Sequence, residues 1–334
     1  MSNINELKIG FVGAGVHARA NIYASLQLLG VPIHSISTRH LESAKKAAKE
    51  FQANNAYDNY EEMLAAEEFD AVFVVTDKDT QADITKSCLR SGAHVFVEKP
   101  LGMDEKEAKD VANISRETGK HVMVGFMKRF APPYLKLKSI MNNQDHFGEK
   151  KSFRGMFAIT SGRPGWDNEV FLKVGGIHYV DLMRFLFGEA IDVIGMTNSE
   201  DVLVDQLFTL RFENGMIGSM FFGGLPAWAR HWEEITVSGV NGFVKVNNMV
   251  NVEYHYVNPE IKPSWKDVTL EDGILTPKNT SSSGGWKDLF MNGYVGEIEH
   301  FLNSVINNSE PECSAFDNVK TMKLCDTISS ALKN

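Results

Sequence analysis

The stretch KIGFVGAGVHA, residues 8–18, decides the fold. Ile9 to Val12 is an apolar run of strand length, Gly13, Gly15 and Ala18 follow in GxGxxA spacing, and the pattern from about His17 to Gly30 is helical. In a strand–turn–helix of this kind the first glycine permits the turn and the second lets a pyrophosphate approach the backbone. The small third residue lets the helix pack closely on the strand. The helix start, with Val16 and His17, then offers N–H groups and partial positive charge to the phosphates. A bare GxGxxA also occurs for steric reasons alone, so its neighbours carry the argument.

Outward from this motif the first third of the chain repeats it. IHSIS (33–37), LESAKKAAKEF (41–51), a helix near Tyr60–Glu67, DAVFVVT (70–76), a helix over about Gln81–Ser91 and HVFVEKP (94–100) alternate strand and helix. Strands separated by ten- to fifteen-residue helices predict βαβ units and a parallel, doubly wound sheet. Runs around Val72–Val75 and Val95–Val97 are apolar at both parities, as strands buried between two helix layers must be. One more helix (Asp104–Thr118) and the strand HVMVGF complete a Rossmann domain expected over residues 1–123.

From Lys150 onward strand follows strand: KKSFRGMFAIT, DQLFTLRFENGMIGSMFFGG, EEITVSGVNGFVKVNN and VNVEYHYV. Asn214-Gly215 and Asn241-Gly242 are hairpin signals. Residues 124–334 are therefore expected to form an α+β domain with a large, mostly antiparallel open sheet. One helix, IHYVDLMRFLFG (177–188), interrupts it and stops at Gly188; Pro277–Gly285 reads as a polar loop. Two terminal helices are expected over about Tyr294–Asn307 and Phe316–Leu332. Strands such as LFTLRF and MIGSMFFGG carry apolar residues at both parities, so the sheet's second face is expected to meet another subunit in a homodimer or homotetramer.

With 43 acidic against 34 basic side chains in 334 residues and no basic run, the chain lacks an electrostatic footprint for nucleic acid. No apolar run approaches the ~20 residues that span a bilayer, and the start has no signal-peptide pattern, so the expected location is the cytoplasm and no membrane partner is expected. Cys88, Cys313 and Cys325 are widely spaced, which predicts neither a disulfide framework nor a metal site.

The second strand ends Ser37-Thr38-Arg39, without the acid that binds the ribose 2′-hydroxyl of NAD. A hydroxyl followed by a guanidinium suits a 2′-phosphate, which predicts NADP in preference to NAD; the alternative is a solvated Arg39 and no discrimination. Glu98-Lys99-Pro100 closes the strand HVFV. The residue before proline is held extended, so Lys99 projects from the carboxyl end of the sheet, where it could stabilise alkoxide charge while Glu98 orients cofactor ribose or the lysine itself.

Together GxGxxA at 13–18, EKP at 98–100, VGFMKRF at 124–130, GGIHYVDLMRFLFG at 175–188 and GYVGEIEHFLNSV at 293–305 resemble the Gfo/Idh/MocA oxidoreductase family, over nearly the whole chain. The resemblance implies reversible hydride transfer at a carbinol carbon of a sugar, cyclitol or related substrate. It implies that Lys99 touches both nicotinamide side and substrate hydroxyl, that His178 transfers the proton, that Asp181 is the acid one turn later, and that Thr76 lies along the cofactor. Three positions depart from the family pattern. Val174 stands where many members have an aspartate, and Asp77 and Gln81 replace the proline and histidine of a TPxxxH loop. The helix N-terminus favours a neutral His178 and a nearby carboxylate a charged one. Arg163, Trp166, Trp228 and Arg230 are candidates to roof the substrate pocket, and Arg129-Phe130 is read as locking the connection between domains. Two rival readings remain: a glycosidase using NAD for transient oxidation, and a non-catalytic nucleotide-binding regulator, which the EKP and His178 disfavour.

Overall fold

The structure is a computed structural model describing residues 3–160, 166–199, 202–228, 230–257, 271–277 and 286–333. The chain forms two units, Met1–Met127 with Gly293–Lys323, and Lys128–Asn292 with Leu324–Asn334. The first boundary therefore falls after residue 127 instead of 123. More consequentially, most of the tail, expected with the second domain, belongs to the first.

In the first unit β1 (Ile9–Val12) leads into helix α1, which opens with a π-helical turn (Ala18–Tyr23) and continues over Ala24–Leu28. There follow β2 (Ile33–Ser37), α2 (Leu41–Phe51), β3 (Asn55–Tyr57), α3 (Tyr60–Ala66), β4 (Ala71–Val74), α4 (Gln81–Arg90), β5 (His94–Val97), α5 (Glu105–Thr118) and β6 (Val122–Val124). All six strands are parallel, in the order β3-β2-β1-β4-β5-β6. Every residue of β1, β4, β5 and β6 is buried, the state expected of strands covered on both faces. Helix α5 shows how local chemistry sets an element's start: Asp104 caps the Glu107 N–H at 2.8 Å, and Glu107 reaches back to the Met103 N–H at 2.7 Å.

In the second unit come α6 (Pro132–Met141), β7 (Lys150–Ala158), a π-helical turn (Phe171–Gly176) running into α7 (Ile177–Phe187), then β8 (Ala190–Thr197), β9 (Val204–Phe212), β10 (Ile217–Gly224), β11 (Trp232–Gly239), β12 (Gly242–Asn247), β13 (Asn251–Tyr256) and β14 (Glu271–Leu275). Their order is β14-β13-β12-β11-β7-β10-β9-β8. Among the described residues β7 and β10 pair in parallel and the other neighbours are antiparallel. The hairpins β9–β10 and β11–β12 turn at the two Asn-Gly pairs, with Gly215 at φ 84°.

Helix α7 packs on one face of this sheet, with Phe187 stacked on Phe153 at 4.5 Å and Tyr179 against Phe157 at 5.3 Å. Gly176 sits so close that a Cβ there would enter the Phe222 ring. On the opposite face the register aligns Met196, Leu207, Phe221 and Met156 across four strands. Met196 is 68% and Leu207 51% exposed, so an apolar row is open in the single chain.

The tail supplies α8 (Tyr294–Asn307) and α9 (Ala315–Leu332). Phe301 of α8 meets Phe73 edge-on at 5.5 Å and Phe96 at 5.8 Å. It thereby extends an aromatic column that runs from Phe51 through Tyr23 and Phe11 to Phe73.

Candidate active site

The glycine turn opens where the sheet order reverses, between β1 and β4, the place where open α/β sheets bind ligands. Gly13 has φ +106°, and a Cβ on it would run into the Val75 carbonyl, so only glycine fits. The turn is tied down by Gly13 N–H to Ser37 O (2.8 Å) and by the buried Tyr23 hydroxyl donating to Gly13 O (2.9 Å). No atom lies within 4 Å of where a Gly15 Cβ would be, and Val16 is 86% exposed. The Arg19 N–H bonds Gly15 O, so the N–H groups of Val16, His17 and Ala18 fall in the first helical turn, which has no intrahelical acceptors of its own. This open cradle suits the pyrophosphate of a dinucleotide.

The other first-unit candidates gather at the same carboxyl edge. Beyond β2, Thr38 donates to His40 O, and the Arg39 side chain, 87% exposed, lies 3.7 Å from the Asp77 carboxylate. After β4, the Thr76 hydroxyl accepts from Thr80 at 3.3 Å. Gln81, the departure from the TPxxxH pattern, is buried and donates its side-chain amide to Pro100 O, holding the turn after Lys99.

Glu98 and Lys99 follow β5. Glu98 is buried, with Oε1 2.8 Å from His17 Nε2 and Oε2 accepting the Lys99 backbone N–H at 3.3 Å. Burial raises its carboxyl pKa, but the His17 charge and hydrogen bond, with help from Lys99, outweigh this and hold it below the usual range. Lys99 is half-buried; desolvation lowers its ammonium pKa, and the Glu98 charge restores only part. His17, expected to lie under the phosphates, thus turns its ring to Glu98, with Nδ1 held 2.9 Å from the Asn21 amide.

Two residues beside the site escaped the sequence reading. Tyr294 of α8 meets the His17 ring edge-on at 5.8 Å. Glu297, one turn before Phe301, is fully buried and is held well above the usual carboxyl range by burial and then by the Glu98 charge. A carboxyl inside the apolar stripe Val295, Ile298, Phe301, Leu302 was the available signal.

In the second unit, His178 is half-buried in the first turn of α7, just past the π-helical turn; such turns recur at functional sites. Asp181, three residues on, is 1% exposed and accepts from both Arg129 Nε (2.7 Å) and Nη2 (2.6 Å). The bidentate pair fixes α7 to the segment that enters this unit. Beside it Lys128 donates to Glu233 at 2.6 and 2.9 Å, and Tyr134 joins Tyr179 at 2.7 Å. Trp166 packs edge-on against Phe171. Trp228 meets Phe221 and Trp232, and Arg230 stacks 4.0 Å over Trp232. Phe221 and Trp232 belong to the face opposite α7, and Trp228 and Arg230 pack against them. Arg163 lies outside the described residues.

A family model described as an oxidoreductase family with an NAD-binding Rossmann fold matches residues 7–126, and its companion, the C-terminal alpha/beta domain, matches 169–334. The chain belongs to the Gfo/Idh/MocA oxidoreductase family. Among relatives of this Gfo/Idh/MocA oxidoreductase, inositol 2-dehydrogenase of Rhizobium meliloti is 25% identical over 78% of each chain. A dehydrogenase from Chromobacterium violaceum superposes with TM-score 0.87 at 21% identity, over 98% of this chain and 95% of that one. Levoglucosan dehydrogenase in complex with NADH and levoglucosan gives TM-score 0.84 at 17% identity, over 98% and 97%. The two-unit architecture is therefore that of the family. Among the described residues no helix of this oxidoreductase is long and apolar enough to cross a membrane.

Proposed function

We propose that this oxidoreductase transfers hydride to or from a carbinol carbon of a carbohydrate-like substrate, a sugar or cyclitol, with NADP preferred over NAD. The observation that carries the reading is Lys99: an ammonium destabilised by burial, beside an ionised Glu98, on the same sheet edge as the open cradle at Gly15. The nicotinamide, when bound, supplies the hydride chemistry. Lys99 stabilises oxyanion character at the reacting carbon, and His178 takes or returns the hydroxyl proton. Asp181, held by Arg129, orients α7 and so His178. The named activities of inositol 2-dehydrogenase and levoglucosan dehydrogenase support the substrate class.

For NADP, Arg39 is the proposed anchor. Its exposed pair with Asp77 is worth little, so a 2′-phosphate displaces it at small cost. A charge-assisted contact of roughly 1.5–3 kcal/mol gives NADPH at least ~10-fold tighter binding than NADH, and Arg39→Ala removes most of the difference. Equal affinities in the wild type, measured by titration, overturn this.

The activity is tested by screening sugars and inositols with either cofactor while following nicotinamide absorbance. Net stoichiometric change is expected; sugar release without net change indicates a glycosidase, and cofactor binding without either indicates a regulator. With a substrate in hand, Lys99→Met is expected to lower kcat at least ~10²-fold, about 2.7 kcal/mol, while cofactor affinity is kept. Near-normal turnover removes the mechanism.

A further inference from the structure

We propose that His17 is a positioning residue for Lys99, acting through Glu98: its imidazole keeps Glu98 the charged partner of the lysine. The inference rests on Lys99 being a reacting group, as proposed above. A carboxylate can only accept, so Nε2 must carry the hydrogen that faces Glu98 Oε1 at 2.8 Å. Asn21 fixes the other ring nitrogen at 2.9 Å, and Tyr294 closes the ring's edge. Glu98 cannot swing away. Its Oε2 holds the Lys99 backbone N–H, and across from it stands Gly125, where even a Cβ would come within 3.1 Å of Oε1.

The same unit contains a natural control. Glu98 is 6% exposed and Glu297 0%, and Glu297 feels the Glu98 charge. Glu297 has no imidazole, and neither of its oxygens makes a hydrogen bond. Such a carboxyl keeps its proton, because an unpaired buried charge costs far more than a neutral acid. Glu98 has two supports that Glu297 lacks, the His17 ring and Lys99, and His17 is the larger. Remove the ring and Glu98 is left buried beside Glu297 with only Lys99 in support. It then takes up a proton as Glu297 does, and Lys99 loses its counter-charge. The other charged group near the ring, Arg19 on the same helix, is turned to Ala14 O and Glu50.

The test uses the full-length protein without cofactor or substrate. Trace acetic anhydride labelling across a pH series, read by peptide mass, gives the titration midpoint of the half-buried Lys99 amine. His17→Phe, which keeps a ring against Tyr294, and Glu98→Gln should each lower that midpoint by about one unit or more, tenfold more free amine at a given pH. The double variant should match Glu98→Gln alone, and Glu297→Gln should change nothing, since it replaces one neutral group by another. A folded His17→Phe with an unshifted Lys99 overturns the proposal, as do single shifts that add in the double variant. Should His17→Phe not fold, His17→Leu is labelled in its place, and an unshifted Lys99 there overturns the coupling. Labelling needs no turnover, so a wild type inactive on every substrate sinks the proposed reaction without touching this result.

Discussion

Replacing Asp181 by asparagine separates two roles for that residue. The carboxylate and the Arg129 guanidinium are 1% and 7% exposed, and two N–H donors converge on the two oxygens at 2.6–2.7 Å. Asp181→Asn keeps the shape, removes the charge and turns one acceptor into a donor facing a donor, leaving Arg129 buried without its counter-ion. Breaking a buried pair from one side costs about 3–5 kcal/mol. At roughly 2–4 °C per kcal/mol for a domain of this size, the melting temperature should fall by about 6–20 °C. Thermal melting by circular dichroism, with urea unfolding as a second measure, gives the number. An Arg129→Met/Asp181→Leu pair should lose much less than the two single changes together, because no charge is stranded. A variant melting within about 2 °C of wild type, yet inactive, refutes the anchoring argument and makes Asp181 a participant in the reaction.

Acid sensitivity should be traceable to His94, whose Nδ1 accepts the His121 backbone N–H at 3.1 Å. Burial, then the charges of Lys120 and His121, lower its pKa from 6.5 to about 4. The unfolded chain therefore binds a proton that the folded one refuses, and stability present above pH 6.5 is lost progressively as pH falls toward about 4. Urea midpoints of wild type should drop more over that window than those of His94→Gln; parallel losses contradict the assignment. For the open sheet face, light scattering should give a dimer or tetramer at micromolar concentration, and Leu207→Glu, a charge in the middle of the apolar row, should shift it to monomer. A monomeric wild type rules out that interface.

The nucleotide-binding half was legible because its signals are local: apolar runs of strand length, one glycine spacing, and helix starts such as Asp104. The hairpins were legible for the same reason. What stayed hidden was non-local. Nothing near Lys150 announces that β7 will pair in parallel with β10, some sixty residues on, between two antiparallel meanders. Helix α6 begins Pro132-Pro133, a pair that reads as a breaker, yet proline is tolerated in a first turn where no N–H has an intrahelical partner. At the site, residue types were readable and partners were not. His17 lies in the phosphate turn by position but serves Glu98 by orientation, and Asp181 shares a helix with His178 while both its oxygens go to Arg129.

The return of α8 to the first unit bears on how the chain comes into being. When residues 1–127 have left the ribosome, all six parallel strands exist, but Phe73 and Phe96 still lack Phe301, and the Glu98 region lacks Glu297 and Tyr294. The nucleotide-binding unit therefore remains unfinished until residues 293–323 have been made. A gene fragment ending near residue 127 encodes a sheet with an unsealed flank, and a shuffled gene must exchange the segments 1–127 and 293–323 together.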